Sequence, residues 1–508
     1  MPRLIGAIDA GTSSARFLLF QAETSVVVAS HQIELKKTFP QEGWVEQDPV
    51  ELLNAVRESI NKAIEQFQNH NGDITGIMAV GVTNQRESTI VWDKNTGEPL
   101  YNSIVWLDMR TTSIVEQLLD TVPNKTRNKN YLKPLCGLPL SPYFSGVKLK
   151  WLYDNVAKIK KAMDSGTCLF GTVDTWIIWN LTGGVNGGVH VTDVSNASRT
   201  MLMNIETLNW DPVLLKFFNI PHSILPTIKS SSEIYGVFSD GPLKGVPLSG
   251  CVGDQQSALI GQQCFSPGQA KATYGTGCFL LYNTGTVKVD STHGLLTTIA
   301  YQFGSSAPPV YALEGSVAIA GAAFSWLRDN LNILPSYSET QNVAEQADLL
   351  KEGNVYFVPA FSGLYAPYWQ QDARGVICGI TEDTHSSHIV RAALDAVCFQ
   401  VRDVVEAMNK DYGSVLRTLQ VDGGMTANSL LMQLQADLTG IKILKPDMSE
   451  STALGAAMVA GAAVGEWNIY NRIKTGVHTW SPTFTENERD IRYHKWKEAI
   501  ERSLGWRN

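Results

Sequence analysis

Short apolar runs that stop abruptly at polar turns set the rhythm of this chain. Leu4-Ile5-Gly6-Ala7-Ile8 ends at Asp9 and passes at once into Ala10-Gly11-Thr12-Ser13-Ser14, which reads as a strand feeding a tight turn. Strands follow at Arg16 to Phe20 and at Val26 to Gln32. Asp48-Pro49 then marks the start of a helix running to about Phe67, with the aspartate as cap and proline at the first helical position. Ile77 to Val82 is another buried strand, running into the polar turn Thr83-Asn84-Gln85-Arg86-Glu87. Thr172 to Trp176 opens a helix whose apolar face continues through Trp179, and Pro247 to Gly253 is a strand that stops at Asp254-Gln255-Gln256. Strands alternating with helices predict an α/β fold whose sites lie at strand ends.

The second half restarts the same pattern. Ala270 to Tyr274 enters Gly275-Thr276-Gly277 and leaves through Cys278-Phe279-Leu280-Leu281, a turn between two strands. Leu419 to Asp422 runs into Gly423-Gly424 and enters a helix at Ser429, while Gly321 to Leu331 and His388 to Asn409 read as long helices. The boundary falls near Gln262, giving an N-terminal domain of 1–262 and a C-terminal domain of 263–508 that share one strand-rich plan. Length agrees, since single cores stop growing at about 250 to 300 residues.

Composition narrows the class. A chain that is 44% hydrophobic and 18% charged is ordinary for a soluble globular protein. The net charge of -8 argues against nucleic-acid binding, which needs a basic face. Seven cysteines (Cys136, Cys168, Cys251, Cys264, Cys278, Cys378 and Cys398) sit singly, mostly in apolar runs, and predict reduced core thiols rather than disulfides or a zinc site. The Ala- and Gly-rich run from Ala453 to Val464 is too short to span a membrane, which takes about 20 residues, and predicts a close-packed core helix. Met1-Pro2-Arg3 leads straight into the first strand and leaves no room for a signal peptide, and Leu504 to Asn508 is no anchor. The expected location is the cytoplasm, with no membrane anchor.

The candidate chemistry sits in the turns. Glycines let backbone approach a ligand, and successive N–H groups with small hydroxyls form a nest for phosphate oxygens. Turns at Gly11 to Ser14 and at Gly275 to Gly277 each read singly as a β-hairpin with convenient glycines; facing each other across a cleft, they would hold a nucleoside triphosphate from both sides. Asp9 at the end of a buried strand carries a desolvation cost that a metal ion, magnesium beside phosphates, would offset. Gly423-Gly424 before a helix is a third candidate nucleotide turn, with Asn428 as a ligand contact or as the helix cap. Asp254 is placed either to cap the helix it opens or to accept a proton from a substrate hydroxyl in a loose phosphoryl-transfer transition state, where orientation counts for more than basicity. Arg86 and Glu87 could grip neighbouring hydroxyls of a polyol, or be solvated turn charges. Trp106 and Phe279 are core aromatics or ligand walls.

Taken together, Asp9 to Arg16, Thr83 to Glu87, Gly253 to Gln256, Tyr274 to Phe279 and Asp422 to Asn428 resemble the FGGY carbohydrate kinase family nearly end to end. Tyr143 to Trp151 and Gly375 to Gly379 look like its two signatures. The resemblance implies two ribonuclease H-like domains of the actin-type ATPase class flanking a catalytic cleft that closes on substrates. It implies ATP-dependent phosphorylation of glycerol to sn-glycerol 3-phosphate, with Asp254 as the base. Carried over by position, Arg86, Glu87, Tyr143, Asp254 and Gln255 bind glycerol's hydroxyls, and Trp106 and Phe279 line its carbon side. Thr12, Ser13, Ser14, Arg16 and Thr276 meet the ATP phosphates, and Gly321, Gly424 and Asn428 contact the rest of the nucleotide. Asp9 and Asp254 position Mg2+. A homodimer or homotetramer is implied as well.

Two positions depart from the bacterial pattern. Ser325 stands where a glutamine near the adenine is common, and Asp240 to Pro247 lacks the arginine of the loop that binds fructose 1,6-bisphosphate, so that regulation is not expected. Three other readings make different predictions: a kinase for another small polyol or a ketopentose, an actin-like ATPase stimulated by unfolded protein, and an inactive scaffold.

Overall fold

The polar turns converge because the strands before them are parallel neighbours. In this computed structural model, which describes residues 3–347, 355–471, 473 and 476–506, the first sheet is built from β1 (Leu4–Ala10), β2 (Ser14–Gln21), β3 (Val27–Glu34), β4 (Ile77–Asn84), β5 (Ser232–Val237) and β6 (Pro247–Gly253). Met1 and Pro2 at the start and Arg507 and Asn508 at the end lie outside the described residues. The strand order is β5-β6-β4-β1-β2-β3, with β1, β2 and β3 an antiparallel meander and β1, β4 and β6 parallel. Asp9 pairs with Thr83, and Gly253 with Asn84, so three strand ends line up at one edge. Edge strand β3 alternates between half-buried and exposed positions, whereas every residue of β1 is buried. The helix α1 (Pro49–Asn69) packs on β2 and β3, its start capped by Asp48, whose carboxylate accepts from the Val50 and Glu51 amides.

The second sheet repeats the plan with β7 (Ala270–Tyr274), β8 (Cys278–Gly285), β9 (Leu296–Tyr301), β10 (Val310–Val317), β11 (Thr418–Asp422), β12 (Lys442–Pro446) and β13 (Val477–Trp480), in the order β9-β10-β8-β7-β11-β12-β13. Here β7 is antiparallel to β8 and parallel to β11, as β1 is to β2 and β4. Between β4 and β5 the chain builds a separate core around Phe144, Val147, Leu149, Phe218 and Ile224, and this excursion includes α2 (Ser145–Asn155).

Two helices join the halves. The helix α3 (Asp254–Gly261) leaves the first sheet directly after β6; α4 (Gly321–Asp329), α5 (Ser386–Tyr412) and α6 (Ser429–Thr439) belong with the second sheet, and α7 (Ser451–Ala463) follows β12. Yet α7 packs on β1, β4 and β6 of the first sheet and crosses α3. A Cβ on Gly261 would lie 1.9 Å from the Ser451 carbonyl oxygen, and one on Gly455 1.9 Å from that of Ser257. The small residues therefore let two backbones touch where the halves meet, which accounts for the Ala- and Gly-rich composition of α7. All seven cysteines are free, six of them buried, and among the described residues no helix is long and apolar enough to cross a membrane.

Candidate active site in the cleft

The first phosphate-type turn is held in shape by side chains from three segments. The Gly11 amide donates to the Ser14 carbonyl at 2.9 Å, Gln85 Nε2 to the Gly11 carbonyl at 3.2 Å, and Gln47 Nε2 to the Thr12 carbonyl at 2.9 Å. Trp106 Nε1 donates to Thr12 Oγ1 at 2.9 Å. Asp9 has a protein partner that the sequence did not supply. Arg16 faces it in register across β1 and β2, and one guanidinium nitrogen bonds its carboxylate while the other reaches Glu450 at 2.7 Å.

Arg86 and Glu87 are not solvated turn charges, being 3% and 1% exposed. Glu87 sits at φ 60°, a backbone region that costs a non-glycine residue strain and that clusters at functional sites. Arg86 Nη1 and Nη2 each donate to Glu314 at 2.7 Å, a bidentate pair, and Nη1 also reaches Gln256 Oε1 at 3.2 Å. Arg199 Nε donates to Glu87 Oε1 at 2.5 Å, and its Nη1 lies 3.3 Å from Glu314. Two buried cations thus face two buried anions. Asp254, the first residue of α3, lies with Oδ1 3.2 Å from Arg86 Nε and accepts from the Gln255 amide at 2.8 Å. Burial pushes its carboxyl up to about 6 against the pull of Arg86, and the charge of Glu87 adds to the rise.

Aromatic rings close the apolar side. Trp106 meets Tyr143 and Phe279 edge-on, with ring centroids 5.6 and 5.7 Å apart. Tyr143 is fixed through its backbone, because Lys148 Nζ donates to the Pro142 and Tyr143 carbonyls at 2.7 and 2.6 Å. These groups line a cavity of 170 Å³ that holds Thr12, Ser13, Arg86, Glu87, Trp106, Tyr143, Asp254, Gln255, Thr276 and Phe279 together.

The remaining nucleotide candidates lie outside that cavity. Gly321 starts α4 and its amide donates to the Gly275 carbonyl at 2.9 Å, so it backs the second turn. Gly423, at φ 93°, packs against β7, where a Cβ would come within 2.3 Å of the Tyr274 carbonyl oxygen. Gly424 beside it meets open space, whereas Asn428 Oδ1 caps α6 by accepting from the Leu431 amide at 2.9 Å. Ser325 is exposed on α4.

Four charged residues escaped the sequence reading. They are Arg199, Glu314, Lys271, whose ammonium donates to Gln255 Oε1, and Lys37, which lines the cavity with Nζ 3.4 Å from Ser13 Oγ. A lone charge inside an apolar strand was the available signal for two of them, in Ala270-Lys271-Ala272 and Leu313-Glu314-Gly315.

Residues 4–261 match the N-terminal domain of the FGGY family of carbohydrate kinases, and residues 270–464 match its C-terminal domain. The chain belongs to the FGGY family. Among its FGGY relatives, a probable glycerol kinase of Dictyostelium discoideum is 49% identical, with 100% of this chain and 99% of that protein covered. A glycerol kinase of Arabidopsis thaliana is 50% identical over 98% of this chain and 97% of its own length. The crystal structure of Plasmodium falciparum glycerol kinase with ADP superposes with a TM-score of 0.89 at 39% identity, covering 99% of both chains. The FGGY chain carries a larger cavity of 380 Å³ that Tyr143 also lines, but its lining has no carboxylate to accept a proton.

Proposed function

We propose that this FGGY protein transfers the γ-phosphoryl group of ATP to a terminal hydroxyl of glycerol, giving sn-glycerol 3-phosphate and ADP. The observation that carries the reading is the small cavity in which Arg86, Glu87 and Asp254 share space with both phosphate-type turns. Full-length relatives near 50% identity that are named glycerol kinases support the acceptor.

The roles follow from what each group has left to offer. Three Arg86 N–H groups are committed to Glu314 and Gln256, so Nε–H beside Asp254 and one Nη2 hydrogen remain for a hydroxyl oxygen. Glu87 keeps Oε2 as an acceptor while Oε1 is held by Arg199. Gln255 spends its carbonyl on Lys271 and presents its amide N–H groups as donors. Tyr143 offers a hydroxyl, and Trp106 and Phe279 cover the carbon chain. The acceptor oxygen attacks phosphorus as the bond to ADP breaks, and its proton passes to Asp254. Thr12, Ser13, Ser14, Arg16 and Thr276 hold phosphate oxygens, and Gly321, Gly424 and Asn428 border the rest of the nucleotide. Asp9 at the end of β1 and Asp254 just past the end of β6, the two strands that flank β4, present two carboxylates at one edge of the sheet, a donor set that suits Mg2+, which binds through one or two carboxylates together with phosphates and water. When bound, the ion neutralises charge on the transferred group. Water is a smaller nucleophile than glycerol, so closure of the cleft serves to exclude it. We infer from the family resemblance a cytoplasmic homodimer or homotetramer as well.

ADP release with magnesium and ATP, compared across glycerol, a ketopentose and no acceptor, tests the proposal. Release should depend on glycerol and vanish in Asp254→Ala. Faster turnover of the ketopentose, or equal release with no acceptor, would overturn it.

A further inference from the structure

Arg86 and Gln255, polyol donors supplied by the first half, are each held by a buried charge from the second. Glu314 and Lys271 are both 0% exposed. Lys271 pairs with Leu281 in one strand register and Leu281 with Glu314 in the next, so the three form a transverse row on one face of the second sheet. From that row Glu314 takes both Nη groups of Arg86 at 2.7 Å, and Lys271 donates to Gln255 Oε1 and to Thr273 Oγ1, the latter at 2.8 Å.

Each contact settles a choice the polyol residue could otherwise make in more than one way. A guanidinium is a fork, and Asp254 lies 3.2 Å from its Nε. Released from Glu314, Arg86 could turn and take Asp254 as a bidentate partner, which would occupy the proton acceptor. The side-chain amide of Gln255 could present either its oxygen or its nitrogen to the cavity. An ammonium on the oxygen fixes the nitrogen outward as a donor.

We propose that Glu314 and Lys271 are positioning residues: from one row of the second sheet they set the donor pattern that the first half offers to the polyol. The proposal rests on the glycerol reading and names what fixes its specificity. It also means that the acceptor site is complete only when the two halves hold their present relation, so polyol binding and cleft geometry are linked.

The test is steady-state kinetics of Glu314→Gln and Lys271→Met beside the unmodified protein, with glycerol and ATP varied separately. Each variant is also titrated with ADP alone by calorimetry, as a check that the nucleotide site is intact. Loss of a charge-assisted contact of this kind corresponds to about 10- to 100-fold in glycerol KM for Glu314→Gln and about 10-fold for Lys271→Met. KM for ATP and ADP affinity should stay within about twofold, an effect on one substrate that general loosening would not produce. Should either variant be insoluble, the other carries the test, since the two residues act on different polyol donors. Unchanged glycerol KM, or equal shifts in glycerol and ATP KM, overturns the inference while leaving the glycerol reading intact. Absence of glycerol-dependent ADP release from the unmodified protein overturns that reading and the inference with it.

Discussion

At the proposed polyol end of the cleft Arg86, Arg199, Glu87 and Glu314 are each 3% exposed or less and bond one another, whereas at the proposed nucleotide end Ser13, Thr276 and Gly424 stand exposed on turns. The contrast follows from the ligands. Glycerol is small and neutral, so its recognition depends on a fixed pattern of donors and acceptors in a place where each is worth more than in water. The nucleotide brings its own charge and, on the proposed reading, would be met by backbone N–H groups and hydroxyls that need no burial to work. Damage should therefore be severe and cooperative at one end, modest and additive at the other.

Asp254→Asn should break the polyol end most completely. The variant keeps the shape of the side chain but cannot accept the proton, and kcat should fall by about 10³-fold with glycerol KM nearly unchanged. Stopped-flow or coupled ADP assays check this, and a fall of less than tenfold would remove Asp254 as the base.

Arg86→Met tests whether the buried quartet is one unit. It takes the bidentate partner from Glu314 and leaves that buried carboxylate with Arg199 Nη1 at 3.3 Å as its remaining ion-pair contact, so the cost approaches the about 3–5 kcal/mol of a buried pair that loses one partner without reaching a fully unpaired charge. A clear drop in Tm by calorimetry, with glycerol saturation lost, is the expected result. Arg16→Met, by contrast, disturbs a pair whose cation is 26% exposed and should change Tm far less.

Lys148 supplies a pH test of the polyol wall. Burial holds its ammonium at about 7, below the lysine value of 10.5. Between those values the unfolded chain binds a proton that the folded one has released, so this residue adds stability as pH rises from 7 toward 10.5; below 7 its burial cost is fully present. Lys148→Met should flatten that dependence, giving a smaller gain in Tm between pH 7 and pH 9 than the unmodified protein. It should also loosen Tyr143, whose carbonyl Lys148 holds, and raise glycerol KM.

What the sequence disclosed follows the same division. The strand ends and their turns are local, and Asp9, Asp254 and Gly275 to Gly277 could be read from apolar runs that stop at polar residues. The helices Gly321–Asp329 and Ser386–Tyr412 lie where their patterns predict them, the second extending further at both ends. The quartet is not local: Arg86 and Glu314 are 228 positions apart, and what joins them is the order of strands in a sheet. A buried Lys271 or Glu314 announces that a partner must exist without saying which. The partner of Asp9 was closer to view, since Arg16 faces it across a hairpin, but a carboxylate beside a phosphate-type turn suggests a metal as readily as a guanidinium. Asn428 shows the reverse case, in which the local cap reading accounts for its Oδ1.

The smallest effects belong to the phosphate-type turns, and they sharpen the comparison most. Ser14→Ala and Thr276→Ala each remove one hydroxyl from a turn whose backbone bonds remain, the Gly11 amide to Ser14 at 2.9 Å and the Gly275 amide to Gly277 at 2.8 Å. A hydrogen bond of this kind contributes about 1 kcal/mol, which is about fivefold in KM for ATP. Because the two residues lie on different halves and share no partner, the double variant should show the product of the two single effects. Glycerol KM should not move in any of them. If it rises in step with the ATP value, the two ends of the cleft are not independent, and the row formed by Lys271, Leu281 and Glu314, which lies in the same sheet as the Gly275 turn, becomes the structural link to examine.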